Sequence, residues 1–140
     1  MIDTNDIQTI IEECLQELEN ASRQKYDSDK AEQTASKFLV AQLKASILIE
    51  DVELKSKQSK NEVSRLEAEK YYEIKISSKE TKLTETTLTN LVAKNPEVVM
   101  AKDQFAIAES NSKKWYYILN TLKDGHIFFR NINKSKTWSE

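Results

Sequence analysis

Apolar residues recur along this chain at three- and four-residue steps, the spacing of helices, and almost nowhere at two. Ile7, Ile10, Ile11, Cys14, Leu18 and Ala21 share one face of a helix expected over about residues 5–23, with Asn5 as its cap and Gln8 at the capping-box distance. A polar break follows at residues 24–29. From residue 28 to 74 the chain holds no glycine or proline and reads as one long helix. Ala31, Ala35, Phe38, Ala45, Ile49, Val52, Val63 and Leu66 form its seam, which has coiled-coil character and is interrupted by Gln42, Ser56 and Ser59. Leu39, Val40, Leu43, Ile47 and Leu54 make a second apolar face, and a helix apolar on two sides needs two neighbours.

Residues 75–84 are rich in hydroxyl and β-branched side chains and read as a loop. A short helix is expected over 85–94, capped by Thr84. Asn95-Pro96 reads as a cap followed by proline at the first helical position. The next helix carries Val98, Ala101, Phe105, Ala108, Ser112, Trp115, Leu119 and Leu122 on one stripe. Phe128, Phe129 and Ile132 keep the spacing beyond Gly125. The helix is therefore expected to pass through the glycine, at about 1 kcal/mol, and to end near residue 132, leaving 133–140 as a tail. Together these elements predict one all-α domain over 1–140, a long antiparallel hairpin with an extra amphipathic helix at residues 1–24. Such a hairpin buries little surface for its length. A homo-oligomer with coiled-coil-like packing is expected, through Phe38, Leu39, Leu43, Ile47, Ile49, Val52, Trp115, Phe128 and Phe129, with Trp138 in the tail as a further packing or docking residue.

Composition narrows the function. One glycine and one proline in 140 residues exclude the turn-rich sandwiches, the Rossmann unit and the phosphate-cradling loop. Charged residues make up 31% of the chain and no apolar run approaches the ~20 residues of a membrane span, so a soluble chain with no membrane association is expected. Met1-Ile2-Asp3 begins no signal peptide. The lone Cys14 cannot form an internal disulfide and fits a reducing compartment, the cytoplasm. With one histidine, His126, a Ser-His-Asp site has little to build on, and a histidine on a helix face is the plainer reading. Glu67 and Glu69 point to different faces. Glu50, Asp51 and Glu53 read as a solvated face rather than metal ligands. No enzyme activity, no cofactor and no metal are expected.

The charge is uneven. Residues 1–35 carry nine acids against three bases, net −6, and the remainder is +4. Within that remainder Lys55, Lys57, Lys60, Arg65 and Lys70 precede Tyr71-Tyr72, and Lys75, Lys79 and Lys82 continue into the loop. Cations that follow a phosphate backbone, beside aromatics on which bases stack, are what binding of single strands without sequence preference requires. Glu62, Glu67 and Glu69 are interleaved among them, so a solvated coiled-coil face with Glu–Lys pairs and tyrosines packed on a partner helix stands as the alternative.

The order of these features resembles the UvsY recombination mediators of tailed phages. A long helix ends in a basic stretch and Tyr71-Tyr72. A polar loop, Lys82-Leu83-Thr84, a short helix and a long C-terminal helix follow. The resemblance covers roughly residues 35–140. Arg65 and Lys70 stand for the Lys/Arg pair that precedes the tyrosines in that family, and Ile74, Ile76, Ser77 and Ser78 stand where it often has glycines. The resemblance implies a non-enzymatic homo-oligomer in the host cytoplasm that binds single-stranded DNA and helps a RecA-like recombinase displace single-strand-binding protein. Lys55, Lys57, Lys60, Arg65, Lys70, Tyr71 and Tyr72 would contact the strand. A structural, adaptor or prefoldin-like protein without nucleic-acid binding is the alternative.

Overall fold

The computed structural model describes the backbone of residues 4–21, 26–79 and 81–139 and the side chains of 5–21, 26–79 and 81–132. It is all-α. Among the described residues there are four helices and no strand: α1 (Thr4–Ala21), α2 (Ser28–Ser77), α3 (Glu85–Lys94) and α4 (Pro96–Ser139).

Local chemistry sets most of the helix starts. Asp27 opens α2, its carboxylate accepting from the Lys30 amide at 2.7 Å and its carbonyl from the Ala31 amide at 2.9 Å. Thr84, extended at φ −70° and ψ 157°, caps α3 by accepting from the Thr87 amide. The Asn95 side chain accepts from the amides of Glu97 at 2.9 Å and Val98 at 3.3 Å, and Pro96 occupies the first helical position, where a missing N–H costs nothing.

Three boundaries differ from expectation. Asn5 lies inside α1 rather than capping it. α2 continues three residues past Ile74, to Ser77, because Ile74 packs against the buried cluster of Val63, Leu66, Val92, Val98 and Ala101 and so holds the last turn on the helix. Tertiary burial outweighs the weak helix propensity of its β-branched and hydroxyl residues. α4 does not stop near residue 132 but runs to Ser139; after Gly125 no glycine or proline interrupts it.

The chain divides into two compact units, one from residues 1–50 and 114–140, the other from 51–113. In the first, Phe38 and Phe129 are fully buried with ring centroids 5.4 Å apart, and Tyr26 meets Phe129 edge-on at 5.1 Å. Ala31, Ala35, Ala41 and Ala45 are buried in the same unit, small residues that let neighbouring elements approach closely. Ile7, Ile11 and Cys14 of α1 are buried in the same unit. α1 is tied down by the Tyr26 hydroxyl, which donates to the Glu17 carboxylate at 2.6 Å, and by the Lys44–Asp6 ion pair at 3.6 Å. His126 Nδ1 lies 2.9 Å from the Ala35 carbonyl. A carbonyl only accepts, so Nδ1 carries the proton. In the second unit Tyr71, Ile74 and Phe105 pack around the buried cluster.

Burial divides the residues expected at an interface into two groups. Phe38, Ile49, Val52, Trp115 and Phe129 are buried within the chain itself. They lie on the seam face that intrachain packing consumes. Leu39, Leu43, Ile47 and Phe128 are exposed, Leu43 at 62%. The side chain of Trp138 lies outside the described residues.

Candidate nucleic-acid interface

All seven residues expected to contact a strand lie in the unit of residues 51–113, and they fall into two groups. Lys55, Lys57 and Lys60 are exposed on α2 and make no ion pair among the described residues. Lys55 also edges an open groove of about 550 Å³ between α2 and α4, floored by Val52, Ser59, Ala101 and Ala108.

Arg65 is engaged. Its guanidinium grips Glu62 through two donors, at 2.7 and 3.0 Å, and reaches Glu69 at 2.8 Å. The hydrogen bond from Arg65 lowers the pKa of Glu62, and the one to Glu62 raises that of Arg65. The i,i+3 and i,i+4 spacings put both carboxylates on the arginine's own face. Lys70 lies between Glu73 at 3.3 Å and Glu97 at 3.4 Å, with its side chain only 13% exposed; hydrogen bonding to Glu73 first, and then Glu97, raises its pKa. Lys70 thereby pins the first turn of α4 to α2. Both cations meet carboxylates where a phosphate would have to come.

The tyrosines separate. Tyr71 is half-buried against the second unit's core, and its hydroxyl donates to both oxygens of the Glu85 carboxylate, at 2.8 and 2.9 Å. That bond, more than burial, raises the Tyr71 pKa. Tyr71 is thus a core and latch residue and not a free stacking platform, because its ring packs against the buried cluster and its hydroxyl is held by Glu85. Tyr72, one position on, is 66% exposed.

No family model matches the chain, and no curated protein or solved structure does.

Around Tyr72 the geometry holds more than the seven residues. Tyr72, Lys75, Ile76, Ser78, Lys79, Thr81, Lys82, Leu83, Glu85 and Leu88 line a cleft of about 570 Å³ where α2 ends and α3 begins. Lys79 and Lys82 make no ion pair among the described residues, and Lys75 lies 5.8 Å from the centroid of the Tyr71 ring. The run of lysines at 75, 79 and 82 was visible in the sequence, but the apolar wall of Ile76, Leu83 and Leu88 was not. It forms only when the turn brings α3 back beside α2.

Among the described residues no three of His, Cys, Asp and Glu cluster as metal ligands. Cys14 is buried, and burial pushes its thiol up to about 11, too high for a thiolate at neutral pH. Among the described residues no helix is long and apolar enough to cross a membrane.

Proposed function

We propose that this chain is a non-enzymatic recombination mediator, a homo-oligomer that binds single-stranded DNA and assists a RecA-like recombinase on strands covered by single-strand-binding protein. The observation that carries the reading is the exposed trio Lys55, Lys57 and Lys60, without an ion pair among the described residues, on the same helix and in the same unit as the exposed ring of Tyr72. Ammonium groups without carboxylate partners are free to displace counterions from a phosphate backbone, and an exposed phenol gives a base a face to stack on. The resemblance to the UvsY mediators supplies the biological setting. An antiparallel hairpin accords with contacts inside each unit: Ala35 with His126 and Gln42 with Leu122 in one, Lys70 with Glu97 in the other.

Self-assembly is supported by Leu39, Val40, Leu43 and Ile47, which stand exposed on the side of α2 opposite its buried alanines. The same row favours the second reading, a structural or adaptor protein with no affinity for nucleic acid.

Fluorescence anisotropy with labelled oligo-dT at two salt concentrations, alongside sedimentation, separates the two. The mediator reading expects binding that weakens steeply with salt. It also expects Lys55→Glu/Lys57→Glu/Lys60→Glu to cut the slope of log K against log[salt] by about 2, near 0.7 per lost phosphate contact. Failure of the native protein to bind the strand at low salt, with the oligomer intact, leaves only the structural reading. Leu43→Glu/Ile47→Glu is expected to yield smaller species in sedimentation under either reading.

A further inference from the structure

We infer that the cleft between the end of α2 and the start of α3 holds one nucleotide of the bound strand, its base against Tyr72 and the apolar wall, its phosphates on Lys75, Lys79 and Lys82. This assignment rests on the single-strand reading above and moves its strongest contact from the outer side of α2 to the turn.

The cleft's volume of about 570 Å³ lies in the range of about 300–1,000 Å³ that small-molecule sites occupy. Its lining divides the way a nucleotide does. Ile76, Leu83 and Leu88 make an apolar wall, and the Tyr72 ring lies at the opening with 66% of its surface exposed. A base desolvates cheaply there and stacks on the phenol. The three ammonium groups stand around the same space, and Lys79 and Lys82 have no carboxylate partner among the described residues. Arg65 and Lys70 differ on this point: they already hold Glu62, Glu69, Glu73 and Glu97. Among the described residues Glu85 is the one carboxylate lining the cleft, and it accepts the Tyr71 hydroxyl through both oxygens, which partly offsets its repulsion of a phosphate. Positive charge with no ion pair among the described residues, an apolar wall and an aromatic face thus meet in one concave space, and on the outer side of α2 they do not.

The test compares three variants of the full chain for binding to labelled oligo-dT, each checked for native helicity by circular dichroism. Lys79→Gln/Lys82→Gln removes two charges at the turn and is expected to weaken binding and to lower the salt slope by about 1.4. Tyr72→Ala is expected to weaken it about tenfold, and Tyr72→Leu, which keeps apolar bulk without a π-face, nearly as much. Lys57→Gln/Lys60→Gln, on the outer side of α2, is expected to weaken it less than the turn variant. If the native protein binds the strand and the turn and Tyr72 variants bind equally well with the same salt slope, the cleft is not a nucleotide site and the single-strand reading survives through the outer lysines. If the native protein does not bind at all, both fall together. Ultraviolet cross-linking of the bound strand adds a direct readout: an adduct at Tyr72 supports the assignment, and adducts confined to residues 51–62 overturn it.

Discussion

Replacing Gly125 by alanine sets two effects of opposite sign against each other. Glycine inside a helix costs about 1 kcal/mol relative to alanine, so propensity alone predicts a stabilised protein. The structure predicts the reverse. A Cβ at position 125 would lie 2.6 Å from Phe38 Cδ1 and 2.8 Å from Cζ, closer than carbon atoms approach. Phe38 is fully buried and packs on Phe129, so its ring has no solvent side into which to retreat. Overpacking of this kind costs about 1–3 kcal/mol, and a ring fixed on all sides belongs at the upper end. The net expectation is a loss of about 2 kcal/mol, or roughly 7 °C in Tm for a chain of this length. Urea and thermal unfolding followed by circular dichroism at 222 nm would measure it. A double-mutant cycle with Phe38→Leu isolates the cause: the smaller side chain is expected to relieve the alanine clash, giving a coupling of at least about 1 kcal/mol. If Gly125→Ala raises the midpoint, or if the two substitutions add without coupling, close approach of α4 to Phe38 is not why glycine stands there.

Two further outcomes follow from the ion pairs and buried protons. Glu62→Gln/Glu69→Gln frees Arg65 without changing side-chain size, and single-strand affinity at low salt is expected to rise about threefold, the scale of one exposed charge contact; Glu12→Gln/Glu13→Gln makes the same change in net charge on α1, and an equal gain there would show that release of Arg65 is not the cause. Burial pushes Cys14 up to about 11 and, helped by the hydrogen bond to Glu17, Tyr26 up to about 12, from ordinary values of 9.0 and 10.0. The folded chain therefore holds these protons more tightly than the unfolded chain, so stability is level below about pH 9 and falls as pH rises from there to about 12. Urea midpoints measured from pH 8 to 11.5 are expected to decline, less steeply in Tyr26→Phe, and a flat profile would contradict the burial of both groups.

The helical character of this chain was legible in its residues, because a helix is made by contacts between positions three and four apart and those positions can be read in order. The Asn95-Pro96 pair, Thr84 and the alanine-rich seam of α2 carry their roles in their own chemistry: a cap needs one side-chain oxygen, and a close-packed face needs small residues at fixed spacing. The pairing of Arg65 with Glu62 and Glu69 was also within reach, as an i,i+3 and i,i+4 cluster, although the same residues read equally well as part of a cationic track.

What only the tertiary structure decided is which of two equivalent-looking residues faces inward. Tyr71 and Tyr72 are adjacent and identical in type; one packs against the buried cluster of the second unit with its hydroxyl on Glu85, the other is left in solvent. Phe128 and Phe129 divide in the same way. Lys70 meets Glu97 from 27 positions away, and Gly125 makes room for a ring 87 positions before it. Periodicity fixes a helix's faces relative to one another but not which neighbour each face meets. That choice depends on contacts between residues far apart in the chain, and no local spacing encodes them.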